Sequence, residues 1–134
     1  MYTPFRFVSK VVAERIAQAI MEAVGGCPTE NRILILSPKD QDVKVGNIIV
    51  PGTNKEEIPN KGVVIIPGEI SEEYKTYRPI IKTGRVVTYG MYAGKKIDFN
   101  SKIFTDHGID FGDDKHEFSV LSLTEVIFTE NNPM

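Results

Sequence analysis

The residues with the most chemistry within reach of one another cluster late in the chain: Asp106, His107, Asp110, Asp113, Asp114, His116 and Glu117. Carboxylates and imidazoles at this density are donors that calcium or a transition metal would take. Read as a calcium loop starting at Asp106, the run puts Glu117 at the twelfth position. Gly108 then stands third and Phe111 sixth, where the loop needs an oxygen donor and a glycine. The following segment is also strand-like rather than helical. The cluster reads as a solvated acidic turn, and no metal is expected.

Other chemistry lacks partners. Cys27 has no histidine nearby in sequence, and His107 and His116 share one loop with no Ser or Cys elbow, so nucleophilic catalysis has no support. Gly84 and Gly94 stand alone and Gly25-Gly26 follows a helical pattern, so no Walker-type phosphate loop occurs. Tyr74, Tyr77, Tyr89 and Tyr92 offer faces for base stacking, but too few basic residues interleave them for a single-strand groove. The chain is expected to be no enzyme and to hold no cofactor.

Charge points the same way. Sixteen basic and 18 acidic residues give a net charge of −2, which supplies no footprint for nucleic acid. Arg85, Lys95, Lys96 and Lys102 come nearest to a basic patch, but Asp98 interrupts them and they read as a solvated face. One cysteine excludes an intrachain disulfide framework and fits a reducing compartment. No apolar run approaches the roughly 18–20 residues of a spanning helix, so no membrane partner is expected. The N-terminus lacks a signal peptide's apolar block. Glu14 and Glu22 argue against an organelle transit peptide despite Arg6, Lys10 and Arg15. The expected location is the cytoplasm.

The elements that must position any site begin with a helix. Val8, Val12, Ile16 and Ile20 recur every four residues, flanked by Val11, Met21 and Val24, with Lys10, Arg15, Gln18 and Glu22 on other faces. This predicts an amphipathic helix from about Ser9 to Val24, with Ser9 as N-cap and Gly25-Gly26 as its stop. Beyond Asn31 the chain reads as β structure: strands at 32–36, 62–66 and 85–89, and a long apolar run from Glu117 to Phe128. Short strands separated by Gly/Pro turns, without interleaved helices, predict a barrel or sandwich. By length this is one barrel domain, 31–134, preceded by a helical extension, 1–30.

One stretch does not fit a compact barrel. About 25 residues separate the first two strands, and they hold Pro38, Gly46, Pro51, Gly52 and Pro59 among charges and amides. Loops of this length are uncommon in a small domain and are usually functional or disordered. In its middle stand three aliphatics, Ile48-Ile49-Val50. Either they pack on their own barrel or they are meant for another protein.

The order of these pieces resembles the GroES-like co-chaperonin family. Val45-Gly46-Asn47-Ile48-Ile49-Val50 is similar to that family's mobile loop, a glycine-preceded aliphatic tripeptide. Asn60–Gly68 resembles the basic-Gly strand that follows it. Lys82–Tyr89 resembles a Lys-x-Gly-Asp-x-Val strand, with Arg85 where Asp is usual, and Gly90–Gly94 falls at the family's Tyr-Gly turn. Phe118–Phe128 matches the closing pair of strands. The resemblance spans about residues 31–130; the helix before Asn31 and the polar insertion at about 101–116 depart from it.

The resemblance implies a mostly β fold, a GroES-like β-barrel with a long mobile loop (about 38–61) and an added N-terminal amphipathic helix. It implies a ring, heptameric in the family, that caps an ATP-bound GroEL-type chaperonin through Gly46, Asn47, Ile48, Ile49 and Val50 and encloses unfolded clients. In the family the first and last strands pair across subunits. Here these would be Ile33, Leu34, Ile35 and Leu36 with Val120, Leu121, Leu123, Val126, Ile127 and Phe128. The segment from Tyr74 to Arg85 would form a turn-and-hairpin roof. The helix is expected to pack on its own barrel, docking on the chaperonin or a neighbouring subunit being the alternative. A divergent chain of this kind is compatible with a viral origin, and the host cytoplasm would then be its location. Two other readings stay open: a monomeric β-barrel adaptor for peptide or nucleic acid, and a fragment of a zinc dehydrogenase. The latter lacks the Cys/His ligands and the nucleotide-binding half.

Overall fold

In a computed structural model of the chain, residues 8–38, 44–45, 48–49, 60–90, 93–109 and 116–132 are described. Helix α1 runs over Lys10–Val24 and has the expected caps. The Ser9 hydroxyl accepts from the Val12 N–H at 3.2 Å, and Gly25, at φ +69°, sends its N–H back to the Met21 carbonyl. The strands are β1 (Arg32–Pro38), β2 (Lys44–Val45), β3 (Ile48–Ile49), β4 (Asn60–Pro67), β5 (Val86–Tyr89), β6 (Lys95–Ile97), β7 (His116–Ser122) and β8 (Val126–Glu130). A short helix α2 (Lys102–Thr105) lies between β6 and β7.

Six strands form one antiparallel sheet in the order β6-β7-β1-β4-β5-β8. The connection between β7 and β8 forces this sheet to curl. In a flat sheet these strands, four places apart, would be separated by about 19 Å. The chain from Ser122 to Val126 reaches at most about 14 Å and is further shortened by a 3-10 turn at Leu123–Glu125. Glu125 fastens the corner: its carboxylate accepts from the Ser122 N–H (2.9 Å) and from the Gly94 N–H (3.0 Å), just ahead of β6. Gly94 has φ +82°, and a Cβ there would meet Leu121 Cδ2 at 2.6 Å. Only glycine fits that close approach.

Both faces of the central strands β1, β4 and β5 are buried, which is why β1 reads as an unbroken apolar run rather than an alternation. Leu34, Leu36, Val63, Ile65, Val86 and Phe118 point outward from the curl and pack under α1 through its Ala13, Ile16, Ala17 and Ile20. Ile33, Ile35, Val64, Val87, Tyr89 and Leu121 form the inward layer with Leu123 and Ile81. The helix therefore packs on its own sheet as part of a shared core.

Two expectations need correction. The insertion at 101–116, expected as a polar stretch, carries Phe104 and Ile109 into the α1 layer, and Ile109 lies within the cluster read as a solvated acidic turn. Phe104 stacks on Phe118 at 5.4 Å, and Phe99 meets both rings edge-on. Ile103, Phe104, Ile109 and Phe111 are too irregularly spaced among the charges to read as periodicity, yet burying each ring or aliphatic chain is worth about 1.5–3 kcal/mol. The segment from Tyr74 to Arg85 forms no hairpin either. It folds as a 3-10 helix at Glu72–Tyr77 followed by turns, and its Ile81 plugs the inward layer. It has neither the alternation of a half-buried strand nor the continuous apolar run of a buried one.

Candidate functional site

The long connection between β1 and β4 carries the hairpin β2–β3. It pairs Lys44 with Ile49 and Val45 with Ile48, and it forms a ladder separate from the six-stranded sheet. Two of the expected loop residues, Ile48 and Ile49, are thus strand residues of a local hairpin; Gly46, Asn47 and Val50 lie outside the described residues. The signal for this pairing was present in the sequence. A Gly-Asn dipeptide between the β-branched Val45 and Ile48-Ile49 is among the patterns that two-residue hairpins favour.

The expected interface residues separate into two groups. Ile33, Leu34, Ile35 and Leu36 sit in the middle of the sheet, paired to β4 on one edge and β7 on the other, and all four are buried. Their backbone groups are already used within the chain, so they offer no edge to a neighbour, contrary to the expectation. Leu121 and Leu123 are likewise core residues. Val120 and Val126 are half-buried. Ile127 and Phe128 face solvent, at 68% and 60% exposure, on a strand that among the described residues pairs only with β5.

Polar side chains hold β8 in place. Lys61 Nζ on β4 lies 2.9 Å from Glu130 Oε1. Arg85, where the resemblance expects an aspartate, donates to Thr129 Oγ1 at 2.8 Å and to Asn131 Oδ1 at 2.6 Å. A guanidinium fork can bind two acceptors at once, so the unusual residue clamps the end of the last strand. An apolar edge strand fixed in this way, with two large side chains outward, is a surface that natural sheets ordinarily cover.

Among the described residues, the chemistry-bearing side chains do not gather in one place. Cys27 is exposed. His107 pairs with Glu22 of α1 at 2.7 Å, a contact the sequence reading missed because the two lie far apart in the chain. Among the described residues no group of three or more His, Cys, Asp or Glu side chains is placed to hold a metal; Asp110, Asp113 and Asp114 lie outside them.

Residues 27–109 match the family model of the chaperonin 10 kDa subunit. The chain belongs to that family. The co-chaperonin GroES of Bacteroides fragilis and that of Bacteroides thetaiotaomicron are each 35% identical to it over 71 residues, covering 53% of this chain and 74% of the relative. Its role is that of a co-chaperonin, and the family is non-enzymatic. The matched stretch runs from β1 through α2. Helix α1 lies before it, and β7 and β8 lie after it. Among the described residues no helix is long and apolar enough to cross a membrane.

Proposed function

We propose that this co-chaperonin assembles into a ring, heptameric as in the family resemblance, and caps an ATP-loaded GroEL-type chaperonin in the cytoplasm. The contacts are made by Gly46, Asn47, Ile48, Ile49 and Val50. The observation that carries this reading is the β2–β3 hairpin, which stands apart from the main sheet and bears Ile48 and Ile49 in a chain of this family.

The energetics suit a reversible lid. Burying three aliphatic side chains is worth about 5–9 kcal/mol gross. Ordering half a dozen residues costs about 1–2 kcal/mol each, so one loop binds weakly. A two-pair hairpin is marginal by itself, but it bears part of that ordering cost in advance. Several loops on one ring then convert weak contacts into firm capture, and ATP turnover in the partner releases it. Extended β-branched residues suit a groove between partner helices. Ring contacts run through β8, with Ile127 and Phe128 covered by the neighbouring subunit.

The test is Ile49→Asp. The variant is expected to keep the native mass of the assembly and to lose ATP-dependent co-sedimentation with a chaperonin. Undiminished co-sedimentation would remove the loop from the mechanism. A monomeric native mass for the unaltered protein would instead favour the adaptor reading.

A further inference from the structure

His107 lies in the turn that ends α2, and both of its ring nitrogens face oxygen acceptors. Nε2 is 2.7 Å from Glu22 Oε2 on α1, and Nδ1 is 3.0 Å from the Ile103 carbonyl. A neutral imidazole has one N–H to give, whereas the imidazolium has two. Only the charged ring satisfies both contacts. Two helical turns before Glu22, the Arg15 guanidinium donates to the His107 carbonyl oxygen at 3.0 Å. Gln18 Nε2 donates to Glu22 Oε1, also at 3.0 Å, and so holds the carboxylate in place. Beneath these contacts runs the apolar seam in which Ile16 and Ile20 of α1 share a cluster with Phe104 and Ile109.

We propose that His107 is a proton-operated latch, holding the C-terminal half of α1 to the α2 turn when the ring carries both protons and releasing it when one is lost. The charged groups around the ring are, among the described residues, Glu22 and Arg15 from α1 and Asp106 from its own turn. The hydrogen bond to Glu22, then that to the Ile103 carbonyl, raises His107 above its ordinary 6.5, and the nearby Asp106 charge adds to this. The hydrogen bond from His107, then that from Gln18, holds Glu22 below its ordinary 4.5.

The signs follow by linkage. A histidine raised in the folded state contributes fully below its unfolded value of 6.5, and its contribution is lost as pH rises through the folded value. The lowered carboxyl contributes above 4.5, and its contribution is lost as pH falls through its folded value. The latch is therefore closed between about pH 4.5 and 6.5 and opens on the alkaline side. Opening loosens the helix end beside an apolar cavity of about 180 Å³, lined by Ile20, Val24, Leu34, Phe99 and Val120 among others.

The experiment uses the full chain. NMR follows the His107 ring titration, and hydrogen exchange follows α1 against β4 as an internal reference, in the unaltered protein, His107→Gln and Glu22→Gln. The His107 midpoint should lie above 6.5 and fall toward it in Glu22→Gln. Corrected for intrinsic rates, α1 should exchange about two- to fivefold faster relative to β4 on the alkaline side, as loss of one exposed ion pair implies. Both variants should lack this pH dependence, so either one suffices if the other folds poorly. A midpoint at or below 6.5, or the same pH dependence in the variants, would overturn the latch.

Discussion

Replacing Ile16 with alanine tests whether the N-terminal helix is part of the core. Ile16 is fully buried between α1 and the outward layer of the sheet. The change removes three carbons, worth about 2.4 kcal/mol at about 0.8 per methylene. A residual cavity adds to this, since the sheet below cannot follow the shortened side chain, and a total of about 3.5 kcal/mol lies within the range for such truncations. Spread over 134 residues, at about 2.1 cal/mol/K each, that loss lowers Tm by about 12 °C. The control is Val11→Ala on the same helix: Val11 is 66% exposed, and its truncation should stay within about 0.5 kcal/mol.

Urea unfolding at fixed protein concentration measures both variants, the fixed concentration being needed because assembly contributes to apparent stability. Two probes are followed: the helical far-UV signal and the tyrosine fluorescence, to which Tyr89 of the inward layer contributes. For a shared core the two transitions coincide and shift together in Ile16→Ala. If the helical signal moves while tyrosine does not, or if Ile16→Ala and Val11→Ala cost the same, the helix is an appendage and the reasoning fails.

Further outcomes follow from other close contacts. Gly68→Ala should cost about 1–3 kcal/mol or more in the same titration, because a Cβ there would lie 2.4 Å from the backbone oxygens of both Arg32 and Pro28. Gly90→Ala, with open space around its Cβ position, is the comparison that should stay neutral. Phe128→Lys should leave subunit stability within about 0.5 kcal/mol, since the side chain faces solvent, yet should break the assembly in native mass spectrometry. An unchanged native mass would remove β8 from the subunit contact.

The sequence by itself determined whatever depends on local chemistry and on order along the chain. A four-residue apolar rhythm with Ser9 before it and Gly25 after it leaves the helix few alternatives, and the observed caps are those residues. Short β-branched and aliphatic runs between turn residues marked β1, β4 and β5, and the arrangement of loop, strands and turns carried the family resemblance that the comparisons establish. Loop residues Ile48 and Ile49 were legible as a candidate site for the same reason: an aliphatic island among polar residues has to be explained.

Tertiary structure decided what depends on partners distant in the chain. Strand β6, Lys95–Ile97, has no periodicity of its own and exists because β7 lies beside it. Apolar character alone could not separate Leu34, enclosed between two neighbouring strands, from Ile127, left on an open face; strand order makes that distinction. Likewise the union of Glu22 with His107 follows from the packing of α1 over α2. Burial and hydrogen-bond satisfaction belong to the folded chain as a whole, so a linear pattern names candidates for a surface or a core, and the sheet order assigns them.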